Sequence, residues 1–378
     1  MAPATFFFII LLVNFLATIT NSCSGSRPKS SPEFPAILIF GDSTVDTGNN
    51  NYIQTLFKGN HYPYGKDFEG HVPTGRFSNG KLVPDLIASM LKIKDTVPPF
   101  FHPKLSDKDI LTGVSFASAG SGFDELTTAA SGVISFSNQI HYFKEYLARL
   151  ERIVGEKQAK KIVGRALVIV AAGTNDFVFN FFDIPTRKLE FNISGYQDFV
   201  LKRLISYIEE LYDNGCRRIA VSGLPPIGCL PIQRSTQLWK DRSCVEDQNM
   251  GAKTYNHKLE RVLAKTQAKL PGTKVVYVDI YQPLFDMINH PDKYGYEETK
   301  RGCCGTGLIE AGPICNVLTP TCHEASKYMF WDSIHPSEAT YKYLAQYLKE
   351  EVLPKLTTNH SQNIAHVHDY FVEIGKKN

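Results

Sequence analysis

A chain of 378 residues, 43% of them hydrophobic and 21% charged, is long enough to bury one large core or two ordinary ones. Its formal net charge of +3, spread evenly along the sequence, is too mild to mark nucleic acid or an anionic membrane as partner. Small molecules remain as the ligands to look for.

The first residues read as a processing signal. Phe6-Phe7-Phe8-Ile9-Ile10-Leu11-Leu12-Val13 is an apolar core, broken by Asn14 and resumed by Phe15-Leu16-Ala17, with small and polar residues from Thr20 to Ser24. The run is too short to span a bilayer comfortably, so residues 1–24 are assigned to a signal peptide with that approximate end, and no integral membrane association is expected. Residues 25–34 form a Pro/Ser-rich flexible lead-in, 35–356 a single domain, and 357–378 a mobile tail.

The first strand, Ala36 to Phe40, empties into the polar turn Gly41-Asp42-Ser43-Thr44, and Asp46 to Asn51 follows as a run that favours bends. The loop from His61 to Asn79 is rich in Tyr, Pro and Gly; it precedes a helix from Leu82 to Leu91. Gly113 to Ala117 reads as a second strand that ends in the small-residue turn Ser118-Ala119-Gly120-Ser121-Gly122, where a ligand can approach the backbone. A helical tract from about Ser137 to Lys161 leads to Ala166–Ala172, a continuous apolar run of the kind buried on both faces, with Gly173-Thr174-Asn175-Asp176 as its exit.

A helix bearing Val200, Leu201, Leu204, Ile208 and Leu211 on one face, a strand from Arg217 to Ser222, a helix from Glu246 to Leu270 and a strand from Val275 to Val278 continue the alternation. A last helix runs from Tyr341 to about Leu356. Strands alternating with long helices imply parallel βαβ units, hence an α/β fold with five parallel strands and helices on both faces. In such a sheet ligands bind outside the carboxyl ends of the strands, so Ser43, Gly120 and Asn175 should converge.

Of the eight cysteines, Cys23 falls in the cleavage region and Cys216 beside a strand; the other six lie in loop-like sequence. Three disulfides suit them: Cys229 with Cys244, and Cys303 and Cys304 with Cys315 and Cys322 in an order left open, with Cys216 a buried free thiol. Paired CxxC spacing is absent, which argues against zinc at that cluster. Asn192-Ile193-Ser194 and Asn359-His360-Ser361 are N-glycosylation acceptors consistent with secretion.

A serine becomes nucleophilic only with a base to take its proton and a group to orient that base. Both occur in Phe330-Trp331-Asp332-Ser333-Ile334-His335-Pro336, where Asp332 lies three residues before His335 and Pro336 keeps the imidazole out of a helix interior. With Gly41-Asp42-Ser43, Ala117 to Gly120 and Gly173-Thr174-Asn175-Asp176, the chain resembles the GDSL esterase/lipase family of SGNH hydrolases over essentially its whole mature length. The wording around Phe40 to Asn50 and Leu224 to Cys229 is similar to the plant secreted branch, especially anther-specific proline-rich-protein-like members. Ser115 departs from the Asn common there, without touching a catalytic role.

The resemblance implies a three-layer αβα, flavodoxin-like fold and a secreted, apoplastic carboxylic-ester hydrolase. Ser43 would be the nucleophile, His335 the base and Asp332 its partner, with the oxyanion held by the N–H groups of Ser43 and Gly120 and the amide of Asn175. No cofactor or metal is implied; the partner is an acyl-ester small molecule or lipid, and the oligomeric state is left open. An acyltransferase using the same serine, or a non-catalytic lipid or cell-wall binding protein, are the alternatives. No Gly-x-Ser-x-Gly occurs, which disfavours the α/β-hydrolase nucleophile elbow. The apolar loops His61 to Phe77 and Phe177 to Phe182 are expected to form the acyl pocket.

Overall fold

The structure is a computed structural model that describes residues 33–357. The signal peptide, nearly all of the lead-in, Cys23, Asn359 and the tail beyond Thr357 lie outside the described residues. Strands β1 (Ile37–Gly41), β2 (Leu167–Ala171), β3 (Arg218–Ser222) and β4 (Lys274–Val278) form a parallel sheet in the order β1-β2-β3-β4. The principal helices are α1 (Val83–Met90), α2 (Phe136–Val154), α3 (Glu156–Arg165), α4 (Ile193–Asp213), α5 (Glu246–Lys269), α6 (Tyr281–Asn289) and α7 (Glu338–Tyr347).

Side chains alternate along each strand, so the sheet feeds two cores. Leu38, Phe40, Val168, Val170, Ile219 and Val221 pack with α2, α3, α4 and α5 on one face. Ile37, Ile39, Leu167, Ile169, Ala220 and Val278 meet α1 and the end of α7 on the other. The result is the expected three-layer α/β architecture. The long tract after Ser135 is two helices, because Gly155, at φ 77°, breaks it.

The strand expected second in the chain, Gly113 to Ala117, is a correction, and the sheet has four strands rather than five. Residues 113–117 run parallel to β1 but make a single bridge to it, Ile39 with Ser115, and a second bridge outward, Ser115 with Pro99. The Val114 carbonyl accepts from the Ile39 N–H at 3.2 Å, and the Phe116 N–H donates to the Ile39 carbonyl at 2.8 Å. Ser115 itself bonds outward: its N–H donates to the Pro98 carbonyl and its carbonyl accepts from the Phe100 N–H, while Gly113 sits at φ 91°. The segment therefore keeps its place at the sheet edge without a full ladder.

Two short strands the sequence did not suggest, β5 (Glu298–Gly302) and β6 (Tyr328–Phe330), form a second parallel sheet just before Asp332. Two disulfides, Cys303–Cys322 and Cys304–Cys315, close the loop between them and settle the open pairing; Cys229–Cys244 forms as expected. Cys216 is a buried free thiol, pushed up to about 12 by burial.

Candidate active site

β1 ends at Gly41 because no other residue fits. Its φ is 154°, and a Cβ there would lie 2.1 Å from the Ala171 carbonyl oxygen and 2.6 Å from Val45 Cγ2. Gln139, on the first turn of α2, grips this residue at both ends: its Oε1 accepts from the Gly41 N–H and its Nε2 donates to the Gly41 carbonyl, each at 2.9 Å. Asp42 then closes the turn, its Oδ1 accepting from the Thr44 N–H at 3.0 Å and the Thr44 hydroxyl at 2.8 Å. Burial raises the Asp42 carboxyl above its usual range. Ser43 stands between these two anchors.

His335 Nε2 lies 2.8 Å from Ser43 Oγ, and its Nδ1 lies 2.7 Å from Asp332 Oδ2. The carboxylate requires a proton on Nδ1, which leaves Nε2 as the acceptor for the serine hydroxyl. Asp332 is held in turn: Oδ1 accepts from the backbone N–H groups of Ile334 at 2.8 Å and His335 at 2.6 Å. Its Oδ2 also accepts from the Tyr64 hydroxyl at 2.7 Å, and that hydroxyl accepts from the Gly312 N–H at 2.7 Å. Phe77 packs on the imidazole with ring centroids 4.9 Å apart. The Ser337 hydroxyl then caps α7 at the Thr340 N–H, so the helix begins only after the imidazole has been placed.

The other two strand exits are tied to the first by buried carboxylates and amides. Asp46 accepts from the N–H groups of Gly48 and Asn49 at 2.7 Å and of Ala119 at 2.9 Å. Asn49 Nδ2 donates to the carbonyls of Ser115 and Ala117, and Asn50 Nδ2 to that of Ala119. What reads in sequence as a bend-forming run is thus the clamp that sets Gly120. Asp176 does the same for the second core strand, accepting from the N–H groups of Phe123 and Asp124 and the Thr127 hydroxyl. Burial outweighs these donors and pushes Asp46 up to about 6 and Asp176 to about 7.

Asn175 lies in the short helix Thr174–Phe177 and gives one Nδ2 hydrogen to the Ser121 carbonyl at 2.9 Å, keeping the other. Gly120 sits at φ 86°. Its N–H and that of Ser43 donate to no protein acceptor among the described residues. Asn192 is exposed at the cap of α4, its Oδ1 accepting from the Gly195 N–H. Sequence reasoning missed Gln139 and Tyr64; a helix Gln carries no signal, and Tyr64 was one of several aromatics in a loop assigned to the pocket.

Beside Ser43 opens an apolar cavity. The expected acyl-pocket loops do not line it, which corrects that expectation: Tyr64 and Phe77 pack behind Asp332 and His335, while Phe177 and Phe181 join the core. Ala171, Ala220, Val278, Leu344 and Leu348 form the walls instead.

A doubly wound αβα domain with a hydroxyl, an imidazole and a carboxylate in line at the sheet's carboxyl edge has the layout of an ester hydrolase. Residues 37–348 match the family described as GDSL-like Lipase/Acylhydrolase, and the chain belongs to that family. It is 54% identical to GDSL esterase/lipase At2g30220 of Arabidopsis thaliana, over 91% of this chain and 97% of that one. It is 54% identical to At2g30310 over 89% and 95%, and 49% identical to At1g06990 over 93% and 98%, both also GDSL esterase/lipases of Arabidopsis thaliana. The protein is a carboxylic-ester hydrolase of the GDSL type. These relatives' names go no further than esterase/lipase, and no helix among the described residues is long and apolar enough to cross a membrane.

Proposed function

We propose that the protein cleaves acyl esters through a Ser43–His335–Asp332 triad outside the cell. The observation that carries this reading is the unbroken hydrogen-bonded line from Ser43 Oγ through both ring nitrogens of His335 to Asp332, at the mouth of an apolar cavity. Ser43 Oγ attacks the ester carbonyl carbon as His335 Nε2 takes its proton, and Asp332 stabilises the imidazolium. The Ser43 and Gly120 N–H groups and Asn175 Nδ2 receive the oxyanion. His335 then protonates the departing alkoxide, and water, activated by the same nitrogen, releases the acid. The apolar leader and three disulfides support an extracellular, apoplastic setting, and the exposed Asn192 suits a glycan there.

A fluorophosphonate probe applied to the full-length secreted protein tests the assignment. Wild type should be labelled, and Ser43→Ala and His335→Gln should not. Labelling that persists in Ser43→Ala, or turnover that survives His335→Gln, would overturn it.

A further inference from the structure

The cavity beside Ser43 continues past the turn that bears the serine. Its floor is supplied in succession by Ser43 after β1, Ile169 and Ala171 in β2, Ala220 and Ser222 in β3, and Val278 in β4. Residues two apart in a strand share a face, so these make one surface. Val83 of α1, Leu344 of α7 and Leu348 just beyond α7 lie over it. Space survives because the middle of this floor is small. Ala171, Ala220 and Ser222 stand here beside Ile169, while the opposite face of the same strands carries Val168, Val170, Ile219 and Val221. Protein interiors are close-packed and gain stability when such space is filled, so a slot kept open by three small side chains is room for a ligand.

Its course measures that ligand. Neighbouring strands lie about 4.8 Å apart, so a path from β1 to β4 is about 14 Å long. With C–C bonds of about 1.5 Å, an extended polymethylene chain advances roughly 1.3 Å per carbon, and the path accommodates about ten to twelve carbons. Asp42, at the mouth, is the one charged side chain among the residues that line the cavity, so a carboxylate at the far end of the chain would be buried without a counter-charge.

We infer that the slot is a ruler for single, unbranched, uncharged acyl chains of about ten to twelve carbons, with Ala220 in β3, two of the three strand spacings along it, limiting length and bulk. This rests on the reading that Ser43 attacks the acyl carbonyl.

The test is a series of saturated p-nitrophenyl esters from acetyl to hexadecanoyl, run on wild type, Ser43→Ala, Ala220→Phe and the milder Ala220→Val. Wild-type kcat/KM should peak near decanoyl and dodecanoyl. In Ala220→Phe the dodecanoyl-to-butanoyl ratio should fall at least tenfold; if that variant does not fold, Ala220→Val should move the peak to shorter chains. A flat profile, or a peak that neither substitution moves, overturns the ruler, while turnover lost in Ser43→Ala would still uphold the esterase reading. If no ester is cleaved, the Ser43 reading fails and calorimetric titration of wild type decides the ruler. Dodecanoic acid binding more tightly than butanoic acid, with that preference reduced by Ala220→Val, supports the slot, and no preference overturns it.

Discussion

Asn175 shows how one side chain can be both structural and poised for chemistry. One amide hydrogen is spent on the Ser121 carbonyl, which fixes the orientation of the group, and Asn175 also lines the cavity beside Ser43. Loss of one oxyanion donor raises a barrier by about 2.7–4 kcal/mol. Asn175→Ala should therefore lower kcat by ~100-fold or more with little change in KM; near-wild-type turnover in steady-state assays would remove Asn175 from the hole. Tyr64 acts one step further back. Its hydroxyl, bridging the Gly312 N–H and Asp332 Oδ2, fills a lone pair that His335 does not use. Tyr64→Phe removes one hydrogen bond to a charged acceptor, worth about 1.5–3 kcal/mol at most, so kcat should fall by roughly tenfold. A positioning role also predicts that the loss falls on kcat with KM little changed, because the hydroxyl touches Asp332 and does not line the cavity; a loss confined to KM would reduce Tyr64 to packing. That Ser43, Asp332 and His335 would meet was legible in the sequence because the chemistry expected of them restricts residue type. Tyr64 and Gln139 were not, because any loop aromatic or helix amide looks alike until the fold brings it 2.7–2.9 Å from its partner.

Among the elements, the double-bridged loop between β5 and β6 bears most directly on the site. Its Cys303 and Cys304 N–H groups donate to the carbonyls of Phe330 and Trp331, and Gly312 reaches Tyr64, so the loop braces Asp332 from two sides. Opening the Cys304–Cys315 bridge with Cys304→Ser and Cys315→Ser together should cost about 2–4 kcal/mol of stability. It should also reduce kcat beyond what the lower Tm accounts for, as seen by comparing activity well below the transition with wild type. Full activity in a destabilised variant would separate the loop from the site. The helices and core strands were readable from periodicity, whereas β5 and β6 were not. Glu298-Thr299-Lys300-Arg301-Gly302 has no apolar alternation, and Tyr328–Phe330 is too short to signal; tertiary pairing alone makes them strands. The cavity beside Ser43 was misplaced for a related reason. Aromatic loops advertise themselves in a sequence, but space left by Ala171, Ala220 and Ser222 has no signature there.

On the scale of the whole molecule, the three strand exits are joined through carboxylates that the fold removes from water, and this couples assembly of the site to pH. Asp46 and Asp176 are buried, and their carboxyls rise to about 6 and about 7. A carboxyl whose folded pKa exceeds its unfolded value binds its proton more tightly in the folded chain. Its contribution is thus fully present below the unfolded value near 4 and is lost as pH rises through about 6 and 7. Carboxylates held below their usual range, such as Asp124 beside Arg187, act in the opposite sense, but only at more acidic pH. Between pH 5 and 7.5 the two buried aspartates should therefore lower stability as pH rises, with the melting temperature at pH 5 at least ~2 °C above that at pH 7.5. Asp176→Asn cannot ionise, so although it sacrifices a hydrogen bond and melts lower throughout, its pH dependence over this window should be shallower. Thermal melts followed by circular dichroism would sink the idea if the variant kept the wild-type slope. The expected outcome is an enzyme whose strand exits lock together most firmly in mildly acidic surroundings.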